Sequence, residues 1–269
     1  HQLATVFQAV DLYDTVTVRP AEQFTLTMSG RGEGLPVDGT NLAIRAATML
    51  SDYAGVDEGA DIFIEKRIPV AGGMAGGSAD AAGVLVALDR IWNLALATDQ
   101  LHELAARLGA DVPFCLRGGT ALGLERGDRL MPLLNRGRYS WVFVVQKGGL
   151  STPEVFRRFD QDRPDARAVP EVDDRFLAAL AQGDTEYVAR HARNDLAAPA
   201  LAMHPGARAV IEACQRASLP AFVSGSGPTV AVYVSEEESL ESLKELMQDA
   251  VPTAECISAW GPVSGAYIV

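Results

Sequence analysis

Residues 68–82 combine small side chains with a change from an extended to a helical pattern. Four of the six residues from 72 to 77 are glycine, and five alanines accompany them. A backbone without bulky side chains lets a ligand approach its N–H groups closely. A helix that begins just after Ser78 adds partial positive charge at its N-terminus, and both features suit an anion. We therefore predict a phosphate-binding loop in this segment.

Two familiar nucleotide-binding loops do not match the segment. No Gly-Lys-Ser or Gly-Lys-Thr follows it, and it lacks the Gly-x-Gly-x-x-Gly spacing of a dinucleotide loop. The alternative is a tight turn that packs a helix on a strand, for which one glycine is sufficient. We favour the phosphate site, and its candidate ligands are Pro69, Ala71, Gly72, Gly73, Met74, Ala75, Gly76, Gly77 and Ser78.

Asp111 is the candidate for acid–base chemistry. It lies just past the end of a helical pattern and before Pro113, among otherwise apolar residues. Aspartate also favours capping and turn positions, so the residues alone support a turn aspartate as well as a catalytic base.

Three segments together resemble the GHMP kinases, a superfamily of ATP-dependent small-molecule kinases. Residues 69–81 match the pattern Pro-x-x-x-Gly-x-x-Gly-Gly-Ser-x-x-Ala, and residues 108–114 resemble the segment of the catalytic aspartate. Residues 223–229 resemble the third motif, a second glycine loop. Within the superfamily, residues 1–8 are similar to the members that phosphorylate a cytidine diphosphate-linked polyol. Asn41-Leu42 and Ser151-Thr152-Pro153 also occur in the expected order and spacing.

The resemblance implies ATP as the phosphoryl donor, accompanied by Mg²⁺, and a small-molecule substrate. It implies that Asp111 is the catalytic base and that Ser78 approaches Mg²⁺ or a phosphate, although a plain N-cap is the competing role of this serine. Asp80 is interpreted as a solvated acid in the first turn of the helix. Beyond the first loop, the implied ATP-binding residues are Asn41, Lys66, Gly225, Ser226 and Gly227, and the implied substrate-binding residues are His1, Phe7, Asp111, Thr152 and Phe156.

Two other functions remain open at this stage. One is another GHMP kinase of the homoserine or mevalonate type, and the other is a non-catalytic nucleotide-binding protein on the same fold. The resemblance also implies a strand with a Lys-x-Asn pair before His1. We therefore expect the sequence to be truncated or trimmed, and impaired in catalysis as it stands.

The composition is that of an ordinary globular protein. Of the 269 residues, 48% are hydrophobic and 22% are charged. The net charge of −12 argues against nucleic-acid or anionic-membrane partners, because those surfaces attract clustered Lys and Arg. No apolar run approaches about 20 residues, so no transmembrane helix is expected. No signal peptide is visible.

The cysteines indicate a reducing compartment, and the histidines give no sign of a metal site. Cys115, Cys214 and Cys256 are far apart and form no Cys-x-x-Cys motif, which makes a disulfide framework improbable and favours the cytoplasm. The four histidines lack the spacing of metal ligands, so no protein-bound metal is expected.

Strand and helix patterns alternate along the chain, which predicts an α+β architecture with α/β-like alternation. The resemblance specifies the two-domain GHMP kinase fold with a cleft between the domains. We place an N-terminal domain at 1–148 and a C-terminal domain at 149–269. Predicted strands lie near 15–18, 24–28, 61–65, 120–123, 141–145, 222, 229–234 and 255–260. Predicted helices lie at 42–53, 79–94, 99–108, 174–182, 185–192, 205–217 and 237–247, with Asn41 and Thr98 as the caps of the first and third.

Overall fold

A computed structural model describes residues 1–163, 170–235 and 240–269. Helices and strands alternate along these residues as predicted. The strands are β1 Leu3–Gln8, β2 Thr15–Ala21, β3 Thr25–Gly30, β4 Gly59–Lys66, β5 Thr120–Glu125, β6 Arg129–Pro132, β7 Tyr139–Val145, β8 Ala221–Val223, β9 Val230–Tyr233 and β10 Glu255–Gly261. The helices are α1 Leu42–Ala54, α2 Gly76–Ile91, α3 Thr98–Leu108, α4 Val112–Arg117, α5 Thr152–Asp162, α6 Asp174–Gln182, α7 Thr185–His191, α8 Ala197–Met203, α9 Pro205–Arg216 and α10 Leu240–Ala250.

The chain forms two compact units. The first unit contains His1–Val70, Ala75–Pro132 and Pro262–Val269, and the second contains Ala71–Met74 and Leu133–Gly261. This division differs from the predicted boundary at residue 148. Strand β7 pairs with both β9 and β10, so it belongs to the second unit although it precedes that boundary.

The first unit is built on two three-stranded sheets, ordered β2-β4-β3 and β1-β5-β6. The alternation of apolar and polar residues in β2 turns Val16 and Val18 toward the core, as a period of two requires. Helix α2 packs closely on this strand because Gly83 has no side chain. A Cβ atom on Gly83 would lie 2.8 Å from Val16 Cγ2.

Helix α1 has the boundaries that its sequence predicts. The Asn41 side chain accepts a hydrogen bond from the N–H of Ala43 at 2.9 Å, which confirms the predicted cap. The helix ends at Gly55, which takes the left-handed conformation with φ 64°. Its buried face packs with Ile62 and Ile64 of the sheet in one core.

The second unit contains an antiparallel sheet ordered β10-β7-β9-β8. Val142 and Val144 of β7 are buried with residues of α9 and α10 on one face. On β7, Trp141 packs against the rings of Tyr139, Phe222 and Tyr233. Helix α10 is described from Leu240 onward, and the first three residues of the predicted helix 237–247 lie outside the described part of the chain.

Candidate functional site

The first glycine loop joins the end of β4 to the beginning of α2. Helix α2 begins at Gly76, so Ala75 is its N-cap and the predicted N-cap role of Ser78 is wrong. The glycines extend the helix toward the loop, and Ser78 is half-buried in its first turn. Alanine has no side-chain acceptor for the first N–H groups of the helix, which lack intrahelical partners. These amide groups are therefore suited to an anion.

Residues 71–74 of the loop belong to the second unit and contact the second glycine loop, residues 223–229. Ser224 Oγ donates a hydrogen bond to the Gly73 carbonyl at 2.9 Å. Gly73 has φ 74°, and a Cβ atom there would overlap the Ser224 carbonyl and lie 2.9 Å from the Gly227 nitrogen. Glycine is therefore required at residue 73 both for its conformation and for this close approach.

The second glycine loop is held by its own backbone and by an asparagine. Ser224 N–H donates to the Thr229 carbonyl at 2.9 Å, and Gly227 N–H donates to the Ser224 carbonyl at 2.8 Å. Asn194 Nδ2 donates to the carbonyls of Val223 and Gly225 at 2.8 and 2.6 Å. Asn194 was not predicted, because it lies some 30 residues before the loop and no local pattern marks it.

Two residues that were predicted to bind different ligands lie next to each other in the second unit. Ser226, expected at the phosphates, and Thr152, expected at the substrate, are joined by a hydrogen bond of 2.8 Å between their hydroxyl oxygens. Thr152 is exposed at the beginning of α5, and Phe156 is half-buried one turn further along that helix. The hydroxyl pair connects the second glycine loop to the beginning of α5.

Asp111 occupies the N-cap position directly before α4, and this residue is exposed. Its side chain makes no capping hydrogen bond to the described residues of that helix, which argues against the capping alternative. Nearby protein atoms remove part of the hydration of its carboxyl group, and this desolvation raises its pKa. An accessible carboxyl group with a raised pKa is suited to accepting a proton.

Aromatic packing accompanies this aspartate in the first unit. Phe7 of β1 stacks on Phe114 of α4, with 5.0 Å between ring centroids. A Cβ atom on Gly123 would overlap the Phe7 ring, so a glycine makes room for it. Phe7 thus lies beside the Asp111 segment, whereas His1 is an exposed residue at the first position.

Lys66, Asp14 and Asp80 form a buried ionic cluster in the first unit. Lys66 Nζ lies 2.6 Å from Asp14 Oδ2 and 2.7 Å from Asp80 Oδ2, and all three side chains are at most 3% exposed. The interpretation of Asp80 as a solvated acid is therefore wrong. The predicted place of Lys66 in an ATP pocket is also corrected, because its ammonium group is enclosed and paired with two carboxylates.

Asn41 uses both ends of its amide within the first unit. The oxygen caps α1, and Nδ2 donates to the Pro36 carbonyl at 2.7 Å. Its ATP contact remains a prediction.

Among the described residues, no group of three His, Cys, Asp or Glu side chains is arranged to hold a metal ion. None of the helices described in the structure is long and apolar enough to cross a membrane.

Two family models together match more than half of the chain. The GHMP kinases N terminal domain matches residues 41–119, and the GHMP kinases C terminal domain matches residues 176–253. The chain belongs to the GHMP kinase family. The expected two-domain GHMP kinase fold and kinase activity are thereby confirmed.

Curated relatives of this GHMP kinase resemble it along its whole length. The 4-diphosphocytidyl-2-C-methyl-D-erythritol kinase of Nocardioides sp. is 45% identical over 100% of this chain and 92% of its own. The kinase of the same name from Mycolicibacterium smegmatis is 46% identical over 100% of this chain and 85% of its own.

Solved structures agree with this assignment. A 4-(cytidine 5'-diphospho)-2C-methyl-D-erythritol kinase has a TM-score of 0.74 and 31% identity, covering 97% of this chain and 91% of its own. A mevalonate kinase of L. major has a TM-score of 0.75 but only 13% identity, covering 99% of this chain and 91% of its own. The latter likeness shows the fold alone.

Proposed function

We propose that this GHMP kinase transfers the γ-phosphoryl group of ATP to the 2-hydroxyl of 4-diphosphocytidyl-2-C-methyl-D-erythritol, a step of the non-mevalonate isoprenoid pathway. The observation that carries the proposal is the identity of 45–46% along the whole chain with kinases of that name. Mevalonate kinases among the structural neighbours are only 13–14% identical and homoserine kinases 17–18%, so they offer no comparable support for their substrates.

In this proposal the first glycine loop binds the ATP phosphates through backbone N–H groups. The amides at the beginning of α2 support this role, since Ala75 leaves them without a side-chain cap. The second glycine loop, with Gly225, Ser226 and Gly227, contributes further backbone contacts to ATP. Mg²⁺ accompanies ATP and neutralises phosphate charge, and the Ser78 hydroxyl is a candidate ligand for it. Asn41 is assigned to the adenosine.

Asp111 receives the proton of the attacking hydroxyl. The substrate oxygen forms a bond to the γ-phosphorus, the bond from that phosphorus to the β,γ-bridging oxygen breaks, and ADP leaves. The absence of a capping bond supports an available carboxyl oxygen in the part of α4 that the structure describes. Its raised pKa supports the capacity to hold the proton once transfer has begun.

The alcohol substrate is assigned to His1, Phe7, Thr152 and Phe156, together with Asp111. The stack of Phe7 on Phe114 supports this assignment for Phe7, because it provides a rigid apolar surface beside the catalytic segment. Cytosine is planar and aromatic and packs well on such a surface.

We also propose a cytoplasmic location, which three free cysteines support.

The test is a substrate panel analysed by mass spectrometry. The intact protein is incubated with Mg²⁺-ATP and, separately, with 4-diphosphocytidyl-2-C-methyl-D-erythritol, homoserine and mevalonate. We expect a gain of one phosphate on the first alcohol only. A gain on homoserine or mevalonate instead would assign another kinase activity, and ATP binding without any transfer would indicate a non-catalytic protein.

A further inference from the structure

The buried ionic cluster of Asp14, Lys66 and Asp80 contacts both ends of the first glycine loop. Asp14 precedes β2, Lys66 ends β4, and Asp80 lies in the second turn of α2. Strands β2 and β4 pair with Thr15 opposite Glu65, which brings Asp14 beside Lys66. The cluster therefore joins the strand that enters the loop to the helix that leaves it.

The contacts at the entrance of the loop are made by Asp14. Its Oδ1 accepts hydrogen bonds from the N–H of Arg67 at 2.5 Å and of Ile68 at 2.9 Å. Its other oxygen accepts from Lys66 Nζ. One carboxylate thus fixes three successive residues, 66 to 68, directly before the glycine-rich segment.

The contacts at the exit of the loop are made by Lys66 and Asp80. Lys66 Nζ donates to Asp80 Oδ2 at 2.7 Å and lies 3.4 Å from the Gly76 carbonyl in the first turn of α2. A Cβ atom on Gly76 would lie 3.5 Å from Nζ, so the ammonium group lies directly against the beginning of the helix. The ammonium group is thus the central contact between the entrance and the exit.

A loop of this composition needs such anchors. Glycine has the largest conformational freedom in the unfolded chain, and Ala71 and Ala75 have φ of 53° and 52°, which side-chain-bearing residues rarely adopt. Backbone groups bind an anion well only when they are already held in the binding geometry. Two charged contacts at the entrance and the exit provide that constraint without occupying the loop itself.

We propose that Asp14, Lys66 and Asp80 are positioning residues that hold the first glycine loop in the geometry that binds the phosphates of ATP. The inference rests on the proposed function for the identity of the ligand. The cluster contains two acids and one base, all enclosed, so it does not act by attracting the nucleotide. It acts on ATP through the loop.

Two alanine variants test the two ends of the loop, one at each end. Asp14→Ala and Asp80→Ala each leave Lys66 with one carboxylate, so neither variant contains an unpaired buried charge and both are expected to fold. Asp80→Asn is the conservative variant, because its amide oxygen still accepts from Lys66. Arg67→Met is the matched control, since it removes the neighbouring cation, which is exposed and paired only with Glu65 among the described residues.

Hydrogen exchange and kinetics are then measured on the same proteins. In Asp80→Ala we expect the amides of residues 67–78 to exchange at least about tenfold faster than in the wild type, with the rest of the first unit unchanged. We expect the KM for ATP to rise at least about fivefold while the KM for the alcohol is unchanged. Asp14→Ala behaves similarly, Asp80→Asn shows smaller effects, and Arg67→Met resembles the wild type.

The positioning role is overturned if the loop amides and the KM for ATP are unchanged in both alanine variants. It is also overturned if exchange rises equally throughout the first unit, because that result would show a general loss of stability. If the wild type transfers no phosphate to 4-diphosphocytidyl-2-C-methyl-D-erythritol, the proposed function fails, and the exchange of residues 67–78 still decides whether the cluster holds the loop.

Discussion

Asp111 and Asp80 are acids near the beginnings of two helices in the same unit, and their surroundings are opposite. Asp111 is exposed and its side chain does not cap the described part of α4. Asp80 is 2% exposed and paired with Lys66. Loss of hydration raises the pKa of both carboxyl groups, and that of Asp80 reaches about 7 although Lys66 opposes the increase.

This difference separates two ways in which an acid contributes to a site. Asp111 is accessible, so under the proposed function its raised pKa serves proton transfer from a substrate hydroxyl. No substrate reaches Asp80, so its contribution passes through the groups that it contacts. A perturbed pKa alone therefore does not identify a catalytic carboxyl group, and accessibility favours Asp111 over Asp80.

Asp111→Asn gives the largest expected effect on activity. The amide keeps the size of the side chain but does not accept the proton, so kcat is expected to fall about 10²- to 10⁴-fold. Because Asp111 is exposed, the melting temperature stays within error of the wild type. Turnover and thermal unfolding measure the two effects, and Asp52→Asn is the control at another exposed aspartate. A retained kcat would remove Asp111 from the reaction.

Gly73→Ala tests the loop without changing a charge. The new Cβ would overlap the Ser224 carbonyl in a residue with φ 74°, so we expect a loss of about 1–3 kcal/mol in the free energy of unfolding and weaker ATP binding. Gly34→Ala is the control, since φ there is +83° but no described atom lies within 4 Å of the added Cβ. Denaturant unfolding and ATP titration compare the variants. Equal losses would attribute the effect to backbone strain alone.

The pH dependence of stability isolates Asp80. The pKa of Asp80 is about 7 in the folded protein and 3.8 in a fully hydrated chain. The folded state therefore binds the proton more tightly than the unfolded state does. The stabilisation by that proton is complete below pH 4 and is lost as the pH rises through 7. Relative to Asp80→Asn, the free energy of unfolding of the wild type is expected to fall by up to about a few kcal/mol as the pH rises from 4 to 7.

Lys66 and Asp14 face Asp80 in the cluster, and both remain in the Asp80→Asn variant. Urea unfolding at a series of pH values gives the difference between the two proteins. Parallel curves for the wild type and the variant would show that Asp80 is ionised over this whole range.

Arg67→Met has the smallest expected effect. The Arg67–Glu65 pair is 59% and 45% exposed, so water screens it and its loss costs at most about 0.5 kcal/mol. Thermal unfolding is expected to give nearly the wild-type value. A loss comparable with that of Asp80→Ala would show that exposed and enclosed ion pairs of this segment contribute alike, and would remove the contrast between them.

Local patterns in the sequence predicted the parts of the structure that depend on local physics. Asn41 was predicted to cap α1, and the alternation near 15–18 was predicted to form a strand; α1 and β2 confirm both predictions. The two glycine segments identified loops whose backbones approach closely, as the overlap at Gly73 shows.

The ionic cluster could not be predicted in the same way. Asp14 lies 52 residues before Lys66, and nothing near Asp14 marks it as a partner. An acid in the fifth position of a helix is usually solvated, and only the packing of α2 on the sheet encloses Asp80. The starting residue of α2 was also misplaced, because glycines 76 and 77 are poor helix formers that nevertheless begin this helix.

The most direct measurement compares phosphoryl transfer by the wild type and Asp111→Asn in one experiment. Both intact proteins are incubated with Mg²⁺-ATP and 4-diphosphocytidyl-2-C-methyl-D-erythritol, and the mass of the alcohol is followed with time. We expect the wild type to add one phosphate and the folded variant to add none on the same time scale. Equal rates for the two proteins, or a folded wild type that binds ATP but transfers nothing, would contradict the assignment of Asp111 as the base of this kinase.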